Sequence, residues 1–164
     1  MPAIYEKSER IKQVAEPLLS MHHQEVAHAK IAYMMKMAPE ESDGPKMPTR
    51  MGKHPAMAKA RSLNALMTAV TGLDFIIEVD EVYWDVLTLD QQIALIDHEL
   101  CHLAIDEKGF YLKDHDIEEF CAVIQRHGCW MSNVRAFADV VQMNFMFDGK
   151  DPNVEKINGM TAVQ

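Results

Sequence analysis

No stretch of this 164-residue sequence approaches the roughly 18 consecutive apolar residues that a membrane-spanning helix needs. The amino end, Met1 to Arg10, lacks the apolar run of a secretory signal, so a soluble, cytoplasmic chain is expected. Cysteine is scarce, at three residues (Cys101, Cys121, Cys129) with no Cys-x-x-Cys pair, which predicts free thiols in a reducing compartment rather than a disulfide scaffold. Cys121 and Cys129 read as small core residues. Basic charge is also short: 16 Lys and Arg face 25 Asp and Glu, a net of -9, which opposes general binding to nucleic acid or to anionic membranes. The exception is local. From Gly44 to Arg61 there are basic residues (Lys46, Arg50, Lys53, Lys59, Arg61) and no acidic one, so an anion-facing loop over 46–61 remains open. A phosphate-cradling P-loop is excluded there, because Gly52-Lys53 is followed by His54 and lacks the upstream glycine. Internal repeats and low-complexity segments are absent.

The sequence does have the length and apolar content, 48% of residues, for one ordinary domain with a real core. One domain over 1–150 with a tail over 151–164 is expected. Glu6 to Leu19 reads as a helix interrupted by Pro17, and Lys30 to Met37 leans to a strand. Pro39 to Pro55 holds four of the seven prolines and two glycines, the mark of a long loop. Asp74 to Val79, after the Thr71-Gly72 turn, is short and rich in branched and aromatic residues, the best strand in the chain. Thr88 and Gln91 form a capping box that opens a helix from about Leu89 to Ile105. A second helix opens at Asp116, with Glu119 three residues on, and closes at His127 before Gly128; a third runs from Asn133 to Phe147 with Val134, Phe137, Ala138, Val141 and Phe145 as its apolar stripe.

The Thr88-capped helix contains His98-Glu99-Leu100-Cys101-His102. Four residues at 100° each leave the two imidazoles about 40° apart on one face, so both can reach one ion. Neutral imidazole nitrogens suit zinc, and a catalytic zinc site takes three protein ligands and keeps a fourth position open. Glu99 lies beside that face, where a carboxylate can take a proton from water that the ion has acidified. Chance placement of the histidines and glutamates would give the pattern in about 3% of such chains, so context has to decide. Leu89, Ile93, Ile96, Leu100 and Leu103 make a core stripe nearly opposite the histidines, and Ala94, Leu95, Cys101 and Ile105 flank the histidine side, so both sides of the helix are expected to be covered. Cys101 projects about 100° away from His102, which sets it off from that ion. Asp97 reads either as an acceptor orienting an imidazole or as a solvated side chain.

For a third ligand the candidates are His115, just before the second helix, Glu118 on that helix's flank, and Glu119, which has a capping task available. His127 fits a helix C-terminal dipole partner, and His22, His23 and His28 fit a solvated face better than a second metal site. Tyr111 and His127 are weak candidates to stabilise an oxyanion, each more readily structural.

The run from Trp84 to Leu103, with His115-Asp-Ile-Glu-Glu-Phe120 and Gly128-Cys-Trp130, resembles the putative phage metallopeptidase family. More distantly it is similar to SprT-like and YgjP-like zincins, in which the His-Glu-Leu-x-His motif is followed by a His at the start of the next helix. The resemblance implies an α+β, zincin-like fold: a small mixed or antiparallel sheet packed on a metal-binding helix, with two C-terminal helices. It implies zinc on His98, His102 and His115, Glu99 as general base, a peptide or protein substrate that pairs with an edge strand, and, for a phage-encoded chain, a host cytoplasm. The competing reading is a non-catalytic, zinc-stabilised binding protein whose basic loop contacts nucleic acid or an acidic partner. For that loop a plain solvated segment is the simpler reading.

Overall fold

In the computed structural model the described residues are 3–38, 50–51, 54–117 and 121–146, and the chain divides into two compact units, Met1–Lys113 and Asp114–Gln164. In the first unit a short strand β1 (Tyr5–Lys7) leads to Ser8, whose hydroxyl accepts from the Ile11 N–H and so starts α1 (Glu9–His22). The helix continues through Pro17, where an interruption is expected. Proline removes one backbone donor, and the carbonyl it leaves belongs to exposed Gln13. Burial of Ile11, Val14, Ala15 and Leu18 on the other face outweighs that loss.

A 3₁₀ turn (Gln24–Val26) precedes β2 (Ile31–Lys36), the strand expected there. Within the Pro39–Pro55 segment expected to be a loop, β3 (Arg50–Met51) and β4 (His54–Pro55) form a two-residue ladder; 39–49 and 52–53 lie outside the described residues. The chain continues into β5 (Ala58–Ser62), α2 (Ala65–Thr71, ended by left-handed Gly72), β6 (Phe75–Asp80) and α3 (Glu81–Val86). The sheet order is β1-β2-β6-β5, with β2 parallel to β6 and the outer pairs antiparallel. The fold is therefore α+β with a small mixed sheet.

The central strand β6 decides the packing. Phe75, Ile77 and Val79 alternate on one face and are fully buried, as an inward row on a pleated strand must be. The other face is also covered, but by charge: Glu78 and Asp80 are buried as well. Glu78 accepts two bonds from Arg61 of β5, at 2.7 and 3.0 Å, and Asp80 accepts from the Val82 N–H at the start of α3.

Helix α4 (Leu89–Cys101) begins at the expected capping box, with both reciprocal bonds present. It buries Ile93, Ile96 and Leu100 and packs against α1 and β5. It stops at Cys101, four residues short of the expected Ile105, because the following residues turn back as a hairpin, β7 (Leu103–Asp106) and β8 (Gly109–Leu112). Asp106 accepts from the Lys108 N–H and Gly109 takes a positive φ of 119°, the two devices that close this turn. Leu103 is buried as expected, but from a strand.

The second unit holds α5 (Cys121–His127) and α6 (Ser132–Met146). Gly128 closes α5 in the left-handed region (φ 67°), as its position after His127 predicts. Asp116 and Ile117 are not helical, and Glu118, Glu119 and Phe120 lie outside the described residues. Of the stripe expected on α6, Val134 is buried whereas Phe137 is 57% exposed. Cys129 is half-buried rather than a core residue.

Two substitutions test how α4 is held. Ile96→Ala should cost about 2–5 kcal/mol by cavity formation and lost burial, and Thr88→Ala about 1 kcal/mol by loss of the cap. Urea denaturation of both variants measures this, and equal costs would mean that the core does not position the helix.

Candidate metal centre

The last two turns of α4 set out the motif. His102 is the helix's C-cap and keeps right-handed helical angles, so the four-residue spacing to His98 retains its helical phase. The two imidazoles lie side by side, centroids 5.1 Å apart and planes at 83°. His102 Nδ1 lies 2.7 Å from the Lys113 carbonyl oxygen. A carbonyl can only accept, so Nδ1 carries the hydrogen and Nε2 carries the lone pair. The Lys113 N–H in turn donates to the His102 carbonyl at 2.7 Å. The hairpin β7–β8 thus brings the chain back to the histidine and fixes both its ring and its tautomer. A carbonyl on the remote nitrogen is the support that metal-ligating histidines ordinarily have. Two imidazoles in this arrangement are a donor set that fits zinc.

Among the described residues the cover expected on the histidine side is only partial, with Leu95 half-buried. His98, Ala94 and Cys101 are exposed, Ile105 is 39% exposed, and His102 is half-buried. Glu99 is the group that is enclosed, at 5% exposure. It points back to the sheet, where its carboxylate accepts the Ala60 N–H of edge strand β5. Burial pushes its pKa up from the ordinary carboxylate value, while the Ala60 N–H and the nearby His102 and Lys59 pull the other way without cancelling the rise.

Asp97 does orient an imidazole, but a different one. Its Oδ1 lies 2.7 Å from Nε2 of His23, the residue that ends α1. His23 is 6% exposed, which corrects the expectation that it belongs to a solvated face. His115 is exposed and stands two residues beyond Lys113, at the start of the second unit; Glu118 lies outside the described residues. Tyr111 on β8 and His127 at the end of α5 are both exposed.

The basic loop is also altered. Lys59 and Arg61 belong to strand β5, and Arg61 is committed to Glu78. Arg50 lies in β3, and Lys46 and Lys53 are outside the described residues. Sequence reasoning singled out the histidines and Glu99 but not their backbone partners, the Lys113 carbonyl and the Ala60 N–H. Backbone groups leave no residue signature.

A pH dependence follows from the enclosed carboxyl. Because its folded-state pKa is raised, Glu99 holds its proton at a pH where the unfolded chain has lost its own. Its contribution is fully present below the ordinary Glu pKa and is lost as pH climbs through the raised value. In chelator-treated protein, Glu99→Gln should therefore gain stability relative to wild type across that window. Urea midpoints measured from acid to neutral pH check it, and a difference that does not vary with pH would show that burial does not govern this group.

Among the described residues no helix is long and apolar enough to cross a membrane. Comparison with curated proteins and with solved structures gave no match. The family described as "Putative phage metallopeptidase" matches residues 3–142, which takes in the whole sheet, α4 and its motif, the hairpin, and most of α6. A metallopeptidase family implies a hydrolase that uses a metal ion on peptide substrates. The chain belongs to this putative phage metallopeptidase family.

Proposed function

We propose that the protein is a zinc-dependent peptidase in which His98, His102 and His115 hold one ion and Glu99 is the general base. The observation that carries this reading is the pair of imidazoles one helical turn apart, one with its tautomer set by a backbone carbonyl, beside an enclosed glutamate. His115 is favoured as the third ligand by chain length. Lys113 is bonded to His102 through both its N–H and its carbonyl, and two further residues reach at most about 7 Å. When bound, zinc supplies Lewis acidity toward a water molecule and a peptide carbonyl.

The chain's own part is proton transfer and positioning. Glu99 accepts a proton on its carboxylate and returns it to the leaving amine. Its raised pKa brings it nearer a neutral working pH than an exposed glutamate would be, which suits a group that must both take and give a proton. Strand β5, an edge of the sheet whose Ala60 N–H meets Glu99, is the place where an extended peptide backbone would be read. A zinc site that only stapled the fold would have no use for a carboxylate enclosed next to two ligands. Among the described residues of the basic segment, Arg61 is bonded to Glu78 rather than presented to an anion.

Glu99→Gln should retain zinc at the wild-type equivalence and lose peptide hydrolysis by at least about 10²–10⁴-fold, the usual contribution of a general base. His102→Ala should lose the metal and the activity together. Zinc analysis of both variants, with turnover on an unfolded protein substrate, checks this. If Glu99→Gln lost zinc as completely as His102→Ala, the glutamate would be a ligand and the peptidase assignment would fall.

A further inference from the structure

Helix α4 carries a second pair of potential donors at the same spacing as the histidines. Asp97 and Cys101 are also four residues apart, so their side chains stack on one face, rotated by about 100° from the face of His98 and His102. A third donor comes from elsewhere in the fold. His23, buried at the end of α1, reaches Asp97 at 2.7 Å, and ligand atoms of His23, Asp97 and Cys101 all lie within 4.8 Å of one another.

We propose that His23, Asp97 and Cys101 form a second divalent-metal site, separate from the motif histidines and selective for zinc-like ions. The donor set argues for this class. One imidazole, one carboxylate and one thiolate form a mixed nitrogen, oxygen and sulfur set, which suits borderline-soft zinc and excludes the all-oxygen cages of calcium and magnesium. Bonds of about 2.0 Å to nitrogen and oxygen and about 2.3 Å to sulfur put tetrahedral donors roughly 3.3–3.5 Å apart. Ligand atoms within 4.8 Å of one another need to shift by only about 1 Å to reach that spacing. Their charges also match: a thiolate and a carboxylate neutralise the dication, with His23 neutral. Loading releases the Cys101 thiol proton to solvent, and the fourth position faces outward because Cys101 is exposed.

The site would have a mechanical consequence. His23 ends α1 and also begins the 3₁₀ turn before β2, so an ion held there would pin that junction to the helix that carries the motif.

The experiment uses the full chain loaded with Co²⁺, with zinc counted in parallel. The histidine site contains no sulfur, so a thiolate-to-cobalt charge-transfer band in the near ultraviolet reports only on a cysteine ligand. Wild type should show this band and two zinc equivalents. Cys101→Ser should lose the band and one equivalent with an unchanged far-ultraviolet spectrum, whereas Cys121→Ser and Cys129→Ser should keep both. Asp97→Asn should weaken zinc binding at this site at least tenfold, and His23→Ala is the harsher variant because the residue is buried. A doubly substituted His98→Ala, His102→Ala chain should keep the band and the Cys101-dependent equivalent, and zinc should still raise its Tm. That arm separates this site from the peptidase reading, since it reads out with the motif histidines gone. A single equivalent that disappears with the histidine pair, or a band that survives Cys101→Ser, would overturn the proposal.

Discussion

The rotational setting of α4 about its own axis depends on burial of Ile93, Ile96 and Leu100, three residues with almost no exposed surface. Once these three face the core, the angles of every other side chain on the helix are determined. His98 falls to the outside, His102 to its edge, and Glu99, adjacent to Leu100, turns inward toward β5. A helix rotated by one residue would either put Glu99 in the exposed place of His98 or enclose His98 in the place of Glu99. The capping box at Thr88 fixes where the helix starts, and burial fixes how it is turned. Both are required, because four residues of spacing put two imidazoles on one face but do not say which face that is.

Glu99 shows the electrostatic cost of this arrangement. Enclosing a carboxylate disfavours its ionised form, and the structure compensates only in part, through one backbone N–H and two cationic or potentially cationic neighbours. Glu78, on the central strand, shows the opposite treatment: equally buried, it receives a bidentate guanidinium from Arg61. The two glutamates mark a division of labour. One is neutralised for stability, and the other is left only partly compensated beside the imidazole pair.

Legibility in the sequence followed the range of the interactions. The capping box, the strand at Phe75–Asp80 and the glycine stop after His127 were readable because each is settled within a few residues. The His-Glu-x-x-His pattern was readable for the same reason. Helix α1 passing through Pro17, and α4 stopping at Cys101, were not, since tertiary packing decided the first and hairpin pairing the second. The hairpin itself lies in a run whose Leu103 and Ile105 also satisfy a helical repeat, and only the Asp106 to Gly109 turn distinguishes the two. His23 was least legible of all: its partner lies 74 residues away, and nothing near it in the sequence marks it as buried.

The hairpin bears on the metal centre in a way the motif alone does not. Left as a free side chain at a helix end, His102 would have to select one tautomer and one ring orientation when an ion arrived, at a cost in rotamer freedom. Here that selection is made during folding. Pairing of β7 with β8 returns the backbone after eleven residues, and Lys113 secures His102 by one bond to its ring and one from its own N–H. Strand pairing and the buried Leu103 offset the entropy of closing that loop. The His102 imidazole is therefore already set before any ligand arrives, the support that a metal-ligating histidine ordinarily has. Loosening the hairpin would free the His102 ring without altering the motif, which makes β7–β8 part of what positions that imidazole.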